Sequence, residues 1–224
     1  MTVSTQTPQV RAHRTGPRGE YQSSAAMRAR LLTAGIDCLA RHGYAGATTT
    51  LIQHAAGVSR GALLHHFPTR ADLMLAIVRH VHALGDEKIR DRLDAYPPGR
   101  ERFLALIGAV WEVMDEPLEV ALVEIMVGAR SDPSLAAPMT AILDEIHRSR
   151  TDQVWDLAAS VGAVDRRPIE TAVRLHLAAL HGLSIEYLVT GDRTAMQPAL
   201  ELLREYSAAA LDAATAAPGP AAAP

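Results

Sequence analysis

The stretch TTTLIQHAAGVSRGALLHHFPTR, residues 48–70, decides the fold of this chain. Its first half predicts a short helix, because Thr48 or Thr49 can accept a free backbone N–H as N-cap and Gly57 suits the left-handed residue after a helix. Ser59 can then cap a second helix over residues 60–66, which is too short to be stable by itself. Two short helices joined by such a turn predict a helix-turn-helix, whose second helix enters the DNA major groove.

The spacing of these residues resembles the DNA-binding domain of the tetracycline-repressor (TetR-type) family of bacterial regulators. The resemblance covers roughly residues 24–75 and rests on Thr48, Thr49, Ile52, Ala56, Gly57, Val58, Ser59, Gly61, Leu63, His66, Phe67, Arg70 and Leu73. An ordinary helical hairpin is the alternative, but it would not need so many residues at fixed spacing. One position departs from the family, since Leu64 stands where a tyrosine usually contacts phosphate. Leucine cannot donate a hydrogen bond, so that contact is lost or passes to His65 or His66.

Length and composition predict a chain with a real core, in one large or two modest domains, since 48% of its 224 residues are hydrophobic. Cys38 is the only cysteine, which excludes an intrachain disulfide and a cysteine metal cluster. No apolar run approaches the ~18 residues of a membrane span, and the N-terminus lacks the apolar segment of a secretory signal. We therefore expect a cytoplasmic protein with no membrane partner.

Charge is distributed unevenly along the chain. Residues 1–82 contain nine arginines and three acidic residues, a balance of 9 − 3 = +6. Residues 83–224 contain thirteen basic and twenty-two acidic residues, a balance of 13 − 22 = −9. A basic end on an acidic body is typical of a protein that binds a polyanion at one end.

The remaining periodicity predicts helices and no β-strand. A first helix, capped by Ser23 or Ser24 and ended by Gly43, closes a three-helix domain with the helix-turn-helix. A long fourth helix from about residue 70 to residue 96 carries an apolar stripe that extends beyond this domain. Five further helices are predicted at about 99–115, from 117 to before 131, and at about 134–160, 167–190 and 194–215.

The expected architecture is all-α, with an N-terminal three-helix domain and a C-terminal helical domain for ligand binding and dimerisation. Residues 1–22 form a disordered basic tail, whose arginines are either solvated or reach DNA, and residues 216–224 form a second disordered tail. The DNA-binding domain is residues 23–70. The effector and dimerisation domain is residues 71–215, with 70–96 as connecting helix. The last two helices are apolar enough to pair with their copies in a four-helix dimer bundle, as they do in the resembled family.

Within the second helix of the motif, Arg60 is the candidate for reading a base, because a guanidinium can donate two hydrogen bonds to guanine. The resemblance places Thr50, Gly61 and Ala62 at positions that face bases. It places the following residues at positions that face or frame phosphates: Thr48, Thr49, Ser59, His65, His66 and Arg70. For His65 and His66 the alternative is packing under Phe67, which fits His66 better than His65.

The C-terminal domain of the resembled family holds a small-molecule effector. Large or polarizable side chains on the fifth to eighth helices are the pocket candidates: Trp111, Met114, Leu122, Ile125, Met126, His147, Trp155, His176 and Tyr187. The alternative for each is an ordinary place in the core. A mainly aliphatic lining predicts an apolar effector.

The sequence shows no pattern for a cofactor, a metal site or a catalytic residue. His80 and His82 lie on different sides of one helix, and His176 and His181 are also too far round theirs to converge on a metal. Neither a phosphate-binding glycine loop nor a nucleophile elbow is present. Glu124, in an otherwise apolar run, is expected to point outward, although a buried partner is the other possibility.

These patterns together predict a sequence-specific transcriptional regulator, a repressor that binds a near-palindromic double-stranded DNA operator as a homodimer. A small-molecule effector would release it from the operator. The alternative is a helical ligand-binding or enzymatic protein that has kept the domain without a DNA function. The basic N-terminal third argues against this alternative, and Leu64 is the one feature in its favour.

Overall fold

The computed structural model describes residues 17–114 and 117–216, and the side chains of this part from residue 24 onward. The described residues form nine α-helices and one short 3₁₀ turn, in agreement with the all-α prediction. The helices are α1 (Pro17–Gly46), α2 (Thr49–Ala56), α3 (Arg60–His66), α4 (Arg70–Leu93), α5 (Arg100–Met114), α6 (Pro117–Ala129), α7 (Pro133–Ala159), α8 (Arg167–Thr190) and α9 (Gln197–Thr215), with the 3₁₀ turn at Thr194–Met196.

The first helix begins earlier than the sequence predicted. It starts at Pro17, so Ser23 and Ser24 lie inside the helix and the prediction that one of them caps it was wrong. Residues 17–22, predicted from the sequence to lie in the disordered tail, are therefore helical. Pro17 can start the helix because proline is well suited to the first turn. The predicted end is confirmed by Gly43, whose φ of 68° breaks the helical path. The rest of the two predicted tails, residues 1–16 and 217–224, lies outside the described residues.

The two helices of the motif have the predicted caps. The side chain of Thr48 accepts a hydrogen bond from the Leu51 amide, and Gly57 ends α2 in the left-handed region with φ 62°. The side chain of Ser59 accepts a hydrogen bond from the Ala62 amide and starts α3. These local hydrogen bonds satisfy amides that the helix itself leaves free.

Helix α4 connects the motif with the rest of the molecule. Thr69 caps it in a capping box, in which Thr69 and Asp72 exchange side-chain-to-backbone hydrogen bonds. Its 24 residues span about 36 Å at about 1.5 Å per residue. It ends at Leu93, three residues before the predicted end at Tyr96.

One hydrophobic core crosses the predicted domain boundary. Buried side chains of α1–α4 pack together with those of α6 and α7 in a single cluster, which includes Leu39, Ile77, Leu122, Ile125 and Met139. Two smaller clusters hold the other end together, one at α5, α7, α8 and α9 and one at α5, α8, the 3₁₀ turn and α9. The three-helix domain is therefore packed against the C-terminal helices through α1 and α4.

Helix α8 has the predicted bounds but is not buried all round within one chain. Ile169 and Leu180 are buried on one side. Large apolar side chains on α8 and α9 are exposed to solvent: Leu175, Ile185, Leu188, Val189, Leu202 and Tyr206. Within one chain, no other described helix covers these side chains.

Candidate functional site

The second helix of the motif presents one face to solvent. At about 100° per residue, Arg60, Leu64, Gly61 and His65 cover an arc of about 140°. All four are exposed, whereas Leu63 on the opposite side is 3% exposed and anchors the helix in the core. Arg60 therefore points away from the protein, as a side chain that reads a base must.

The predicted contact residues outside this arc differ in their accessibility. Thr48, Thr50 and Ser59 are exposed, whereas Thr49 and Ala62 are half-buried. The oxygens of Thr48 and Ser59 are already used as helix caps. A threonine or serine hydroxyl can still donate its own hydrogen to a further acceptor.

The two histidines at the end of α3 have different surroundings. His65 is exposed, whereas His66 is half-buried with its ring centroid 6.3 Å from that of Phe67. Burial, followed by the charges of His65 and Arg28, lowers the pKa of His66. Of the two histidines, His65 is therefore the one whose ring is accessible from solvent.

Arg30 on α1 fixes the turn between the two helices, a role that the sequence did not reveal. Its guanidinium donates hydrogen bonds to the carbonyl oxygens of Ala56 and Gly57 at the end of α2. The positive φ of Gly57 favours glycine there, and an added Cβ would lie 3.0 Å from this guanidinium, which would have to shift slightly. The orientation of α3 therefore depends on an arginine 30 residues before the helix starts.

Arg70, predicted to face phosphate, is turned toward the protein. Its guanidinium donates a hydrogen bond to the carbonyl oxygen of Tyr44 and lies 4.0 Å from the centre of the Tyr44 ring. Both contacts are partly buried. The structure therefore gives Arg70 a supporting role between the start of α4 and the end of α1.

Tyr44 also forms hydrogen bonds to the C-terminal helices. Tyr44 and its neighbours Arg70, Glu124, Gly128 and Asp132 are together called the Tyr44 joint below. The Tyr44 amide donates to Oε2 of Glu124 at 2.7 Å, and its hydroxyl donates to Oδ2 of Asp132 at 2.7 Å. Burial and then the bond to Asp132 raise the pKa of the Tyr44 hydroxyl to about 12, so it stays protonated as a donor. The ring lies so close to Gly128 that a Cβ there would be 2.4 Å from Tyr44 Cγ.

The outward orientation predicted for Glu124 was wrong. The helix break at Gly43 leaves the Tyr44 amide without a helical partner, and the Glu124 carboxylate accepts its hydrogen. The joint thus connects α1 and α4, which flank the motif, with α6 and the start of α7.

A cavity of about 520 Å³ lies between α4, α5, α7, α8 and α9. The apolar part of its lining is Ile89, Leu93, Phe103, Leu106, Ile107, Val110, Val154, Leu157, Ile169, Ala172, Val173, Leu177 and Leu180. Its polar lining residues are exposed or half-buried, except for His176 and Ser207, which are buried. This volume is within the usual range of small-molecule sites, about 300–1,000 Å³.

Of the nine side chains predicted for the effector pocket, only His176 lines this cavity. Trp111 and Met114 are buried in a neighbouring core cluster, and the ring of Tyr187 packs 6.2 Å from that of Trp111. Leu122, Ile125 and Met126 belong to the large core, and Trp155 packs against the cluster around Phe103. His147 lies in a surface groove near Arg174.

A group of buried polar side chains adjoins the cavity and was not predicted. Glu119 and His82 are each 6% exposed, and His181 Nε2 lies 3.3 Å from Glu119 Oε1 without hydrogen-bond alignment. Burial raises the pKa of Glu119 to about 7 and lowers the pKa values of His82 and His181 to about 3 and about 4. Arg150, which lines the cavity, lies among these groups and pairs with Asp86 at 3.6 Å.

The family model that matches this sequence and the names of the related proteins all describe regulatory proteins. Residues 31–77 match the model of the bacterial regulatory proteins of the tetR family. The chain is 30% identical over 175 residues to the HTH-type transcriptional repressor AcnR of Corynebacterium efficiens, covering 75% of this chain and 84% of that protein. The chain belongs to the tetR family.

Other relatives agree with this membership. The HTH-type transcriptional regulator CymR of Pseudomonas putida is 27% identical over 196 residues, covering 84% of this chain and 96% of CymR. The crystal structure of a Rhodococcus sp. Rha1 transcriptional regulator superposes with a TM-score of 0.61 at 22% identity, covering 85% of this chain and 99% of that one. As a tetR-family member, the protein is a DNA-binding transcriptional regulator with an N-terminal helix-turn-helix domain and a C-terminal helical domain.

The described residues also contain no membrane-spanning helix and no metal-binding group of side chains. Among residues 17–114 and 117–216, no helix has the length and apolar character needed to cross a membrane. In the same part of the chain, no three histidine, cysteine, aspartate or glutamate side chains are placed to hold a metal ion together.

Proposed function

We propose that this tetR-family regulator is a repressor that binds a near-palindromic operator as a homodimer in the cytoplasm and is released by a small molecule bound in the cavity. Regulators of this family bind operator DNA and form dimers. Several relatives, including AcnR, are named as repressors. We assign the chain no catalytic activity, and we retain residues 23–70 as the DNA-binding unit and 71–215 as the effector and dimerisation unit.

The observation that carries this proposal is the path of α4. The helix begins four residues after α3 ends, and its last turns line the cavity with Asp86, Ile89, Arg90 and Leu93. These four residues are spaced i, i+3, i+4 and i+7, so they share one face. Because packed helices shift as units between discrete arrangements, a molecule that displaces this face also displaces the other end of the helix.

The Tyr44 joint supports the same mechanism from the side of the motif. Its bonds tie the start of α4 through Arg70 to α1, and α1 to α6 and α7. A displacement of α4 therefore changes the position of the whole three-helix unit relative to the body, and the two reading helices of a dimer no longer fit successive major grooves.

On the DNA-binding face, we propose that Arg60 reads a base and that Gly61 and Ala62 lie close to bases. The fold itself does not require glycine at position 61, because an added Cβ would meet only Ser59 Oγ at 4.0 Å. We propose phosphate contacts for Thr48, Ser59, His65 and the neighbouring Thr49, with Thr50 near a base. His66 and Arg70 instead support the motif through their contacts with Phe67 and Tyr44.

For the dimer, we propose that the exposed apolar residues of α8 and α9 pair with their copies in a four-helix bundle. Leu188 and Val189 near the end of α8 are 43% and 82% exposed in one chain. Covering such surface is favourable by about 25 cal/mol per Å².

The experiment is selection of bound duplexes from a random DNA library, followed by binding of the enriched duplex at several salt concentrations. We expect an inverted repeat, with half-sites about one helical turn apart, and affinity that falls steeply with salt. For variants of the reading helix such as Arg60→Ala, the control is Arg79→Ala, since Arg79 is exposed on α4 and pairs with Glu145. Enrichment of no sequence, or of a sequence without twofold symmetry, would contradict the proposal and favour a ligand-binding protein without a DNA function.

A further inference from the structure

The buried polar atoms of the cavity indicate what kind of molecule it accepts. His176 is 7% exposed, and its Nδ1 lies 3.4 Å from Ser207 Oγ. Its Nε2 is buried with no hydrogen-bond partner among the described residues. Buried polar atoms are nearly always paired, so unpaired atoms in the wall of a cavity point to a ligand group that pairs with them.

The charges of the lining exclude a strong preference for an ion. Three arginines and three aspartates line the cavity: Arg90, Arg102, Arg150, Asp86, Asp94 and Asp156. Two pairs already form within this set, Arg150 with Asp86 at 3.6 Å and Arg102 with Asp94 at 3.5 Å. The other two, Arg90 and Asp156, are exposed and opposite in charge. A ligand carboxylate or ammonium buried in the apolar part of the cavity would therefore lose its water without gaining a buried counter-charge, which is costly.

The histidine in the wall supplies no positive charge either. Burial lowers the pKa of His176, so its ring is neutral at physiological pH, with one donor and one acceptor nitrogen. It is thus suited to a hydroxyl or a carbonyl group and not to an anion. The thirteen apolar residues of the lining accommodate the rest of the molecule.

We propose that the cavity binds an uncharged, mainly apolar molecule whose one hydroxyl or carbonyl group pairs with Nε2 of His176. This inference rests on the proposed effector function and adds the chemical class of the effector. It also makes His176 the residue that distinguishes such a molecule from a plain hydrocarbon.

The test uses the full chain without DNA and probes with one shared ring system: 2-naphthol, 2-naphthoate, 2-naphthylmethylammonium and naphthalene. At about pH 7.5 the naphthol hydroxyl stays protonated, as that of tyrosine does with its pKa of about 10. Calorimetric titration should show naphthol binding at least roughly tenfold more tightly than either ion, since both ions must be buried without a free partner. Tighter binding of either ion, or no saturable binding of naphthol, would overturn the proposal.

Variants of the wall locate the polar contact. His176→Leu should weaken naphthol binding by roughly tenfold or more while leaving naphthalene binding nearly unchanged, because only naphthol has a group to pair with the ring. His176→Gln should retain most of the naphthol affinity, since its amide can also donate and accept. Ser160→Ala is the matched control, because the Ser160 hydroxyl is bonded to the Leu157 carbonyl of its own helix and is exposed. Equal loss of naphthol and naphthalene in His176→Leu would overturn the assignment, and if that variant does not fold, the ranking of the probes on the unaltered protein decides.

Operator binding in the presence of naphthol separates the two proposals. If naphthol binds as described but leaves operator affinity unchanged, the effector function is wrong and the chemistry of the cavity stands. If a molecule releases the operator equally from the unaltered protein and from His176→Leu, the effector function stands and the role of His176 is wrong.

Discussion

Replacement of Gly128 by alanine should strain the Tyr44 joint and lower stability. A Cβ at position 128 would lie 2.4, 2.5 and 2.8 Å from Cγ, Cδ1 and Cδ2 of Tyr44. The ring cannot move aside freely, because its hydroxyl is bonded to Asp132 and the Arg70 guanidinium lies 4.0 Å from its centre. Overpacking of this kind costs about 1–3 kcal/mol, and the gain of alanine over glycine in a helix offsets about 0.5–1 kcal/mol of it. The expected net loss of stability is about 1–2 kcal/mol.

A double-mutant cycle identifies the clash as the cause. In the background of Tyr44→Ala, which removes the ring, Gly128→Ala should no longer destabilise, so the two changes should be non-additive by about 1 kcal/mol or more. The assay is urea denaturation at one fixed protein concentration, since the stability of a dimer depends on concentration. Gly85→Ala is the control, because a Cβ at that buried helical position would meet Val113 Cγ1 at an ordinary 3.7 Å. Additive effects, or a Gly128→Ala protein as stable as Gly85→Ala, would refute the reasoning.

Three further predictions concern the reading helix, the connecting helix and the buried carboxyl group. Arg60→Ala should weaken operator binding by about 1–3 kcal/mol and relax the preference at one base position, and an equal loss on random DNA in a competition assay would contradict a base contact. Leu84→Gly, in the middle of α4, should reduce the effect of a cavity ligand on operator affinity more than it reduces either affinity alone, as calorimetric titration with and without operator can show. Because burial raises the pKa of Glu119 to about 7, its charged form destabilises the fold increasingly as pH rises above its ordinary pKa and fully above about 7. Glu119→Gln should therefore stabilise the protein at about pH 8, by up to roughly 3 kcal/mol, and change its stability little at about pH 5. Denaturation midpoints that shift by the same amount at both pH values would contradict this prediction.

The sequence alone determined the features that depend on neighbours a few residues away. Thr48, Ser59 and Thr69 each cap a helix through an amide two or three residues into it, and Gly57 ends α2 in the left-handed region. Such interactions are formed within one turn, so residue type and spacing are sufficient to predict them. The bounds of α8 were predictable for the same reason, with proline in the first turn and Gly191 at the end.

Only the tertiary structure decided which side chains meet across the fold. Tyr44 and Glu124 are 80 residues apart in sequence, and their contact depends on how α1 crosses α6. The cavity likewise depends on the rotation of five helices about their own axes, and a change of one residue position turns a side chain by about 100°. Periodicity shows that a helix has an apolar face, but several apolar neighbours compete for that face with similar energy. Trp111 on α5 and Leu122 on α6 therefore fill the core. Val110, one residue before Trp111, and Leu106, about one turn before Val110, line the cavity instead.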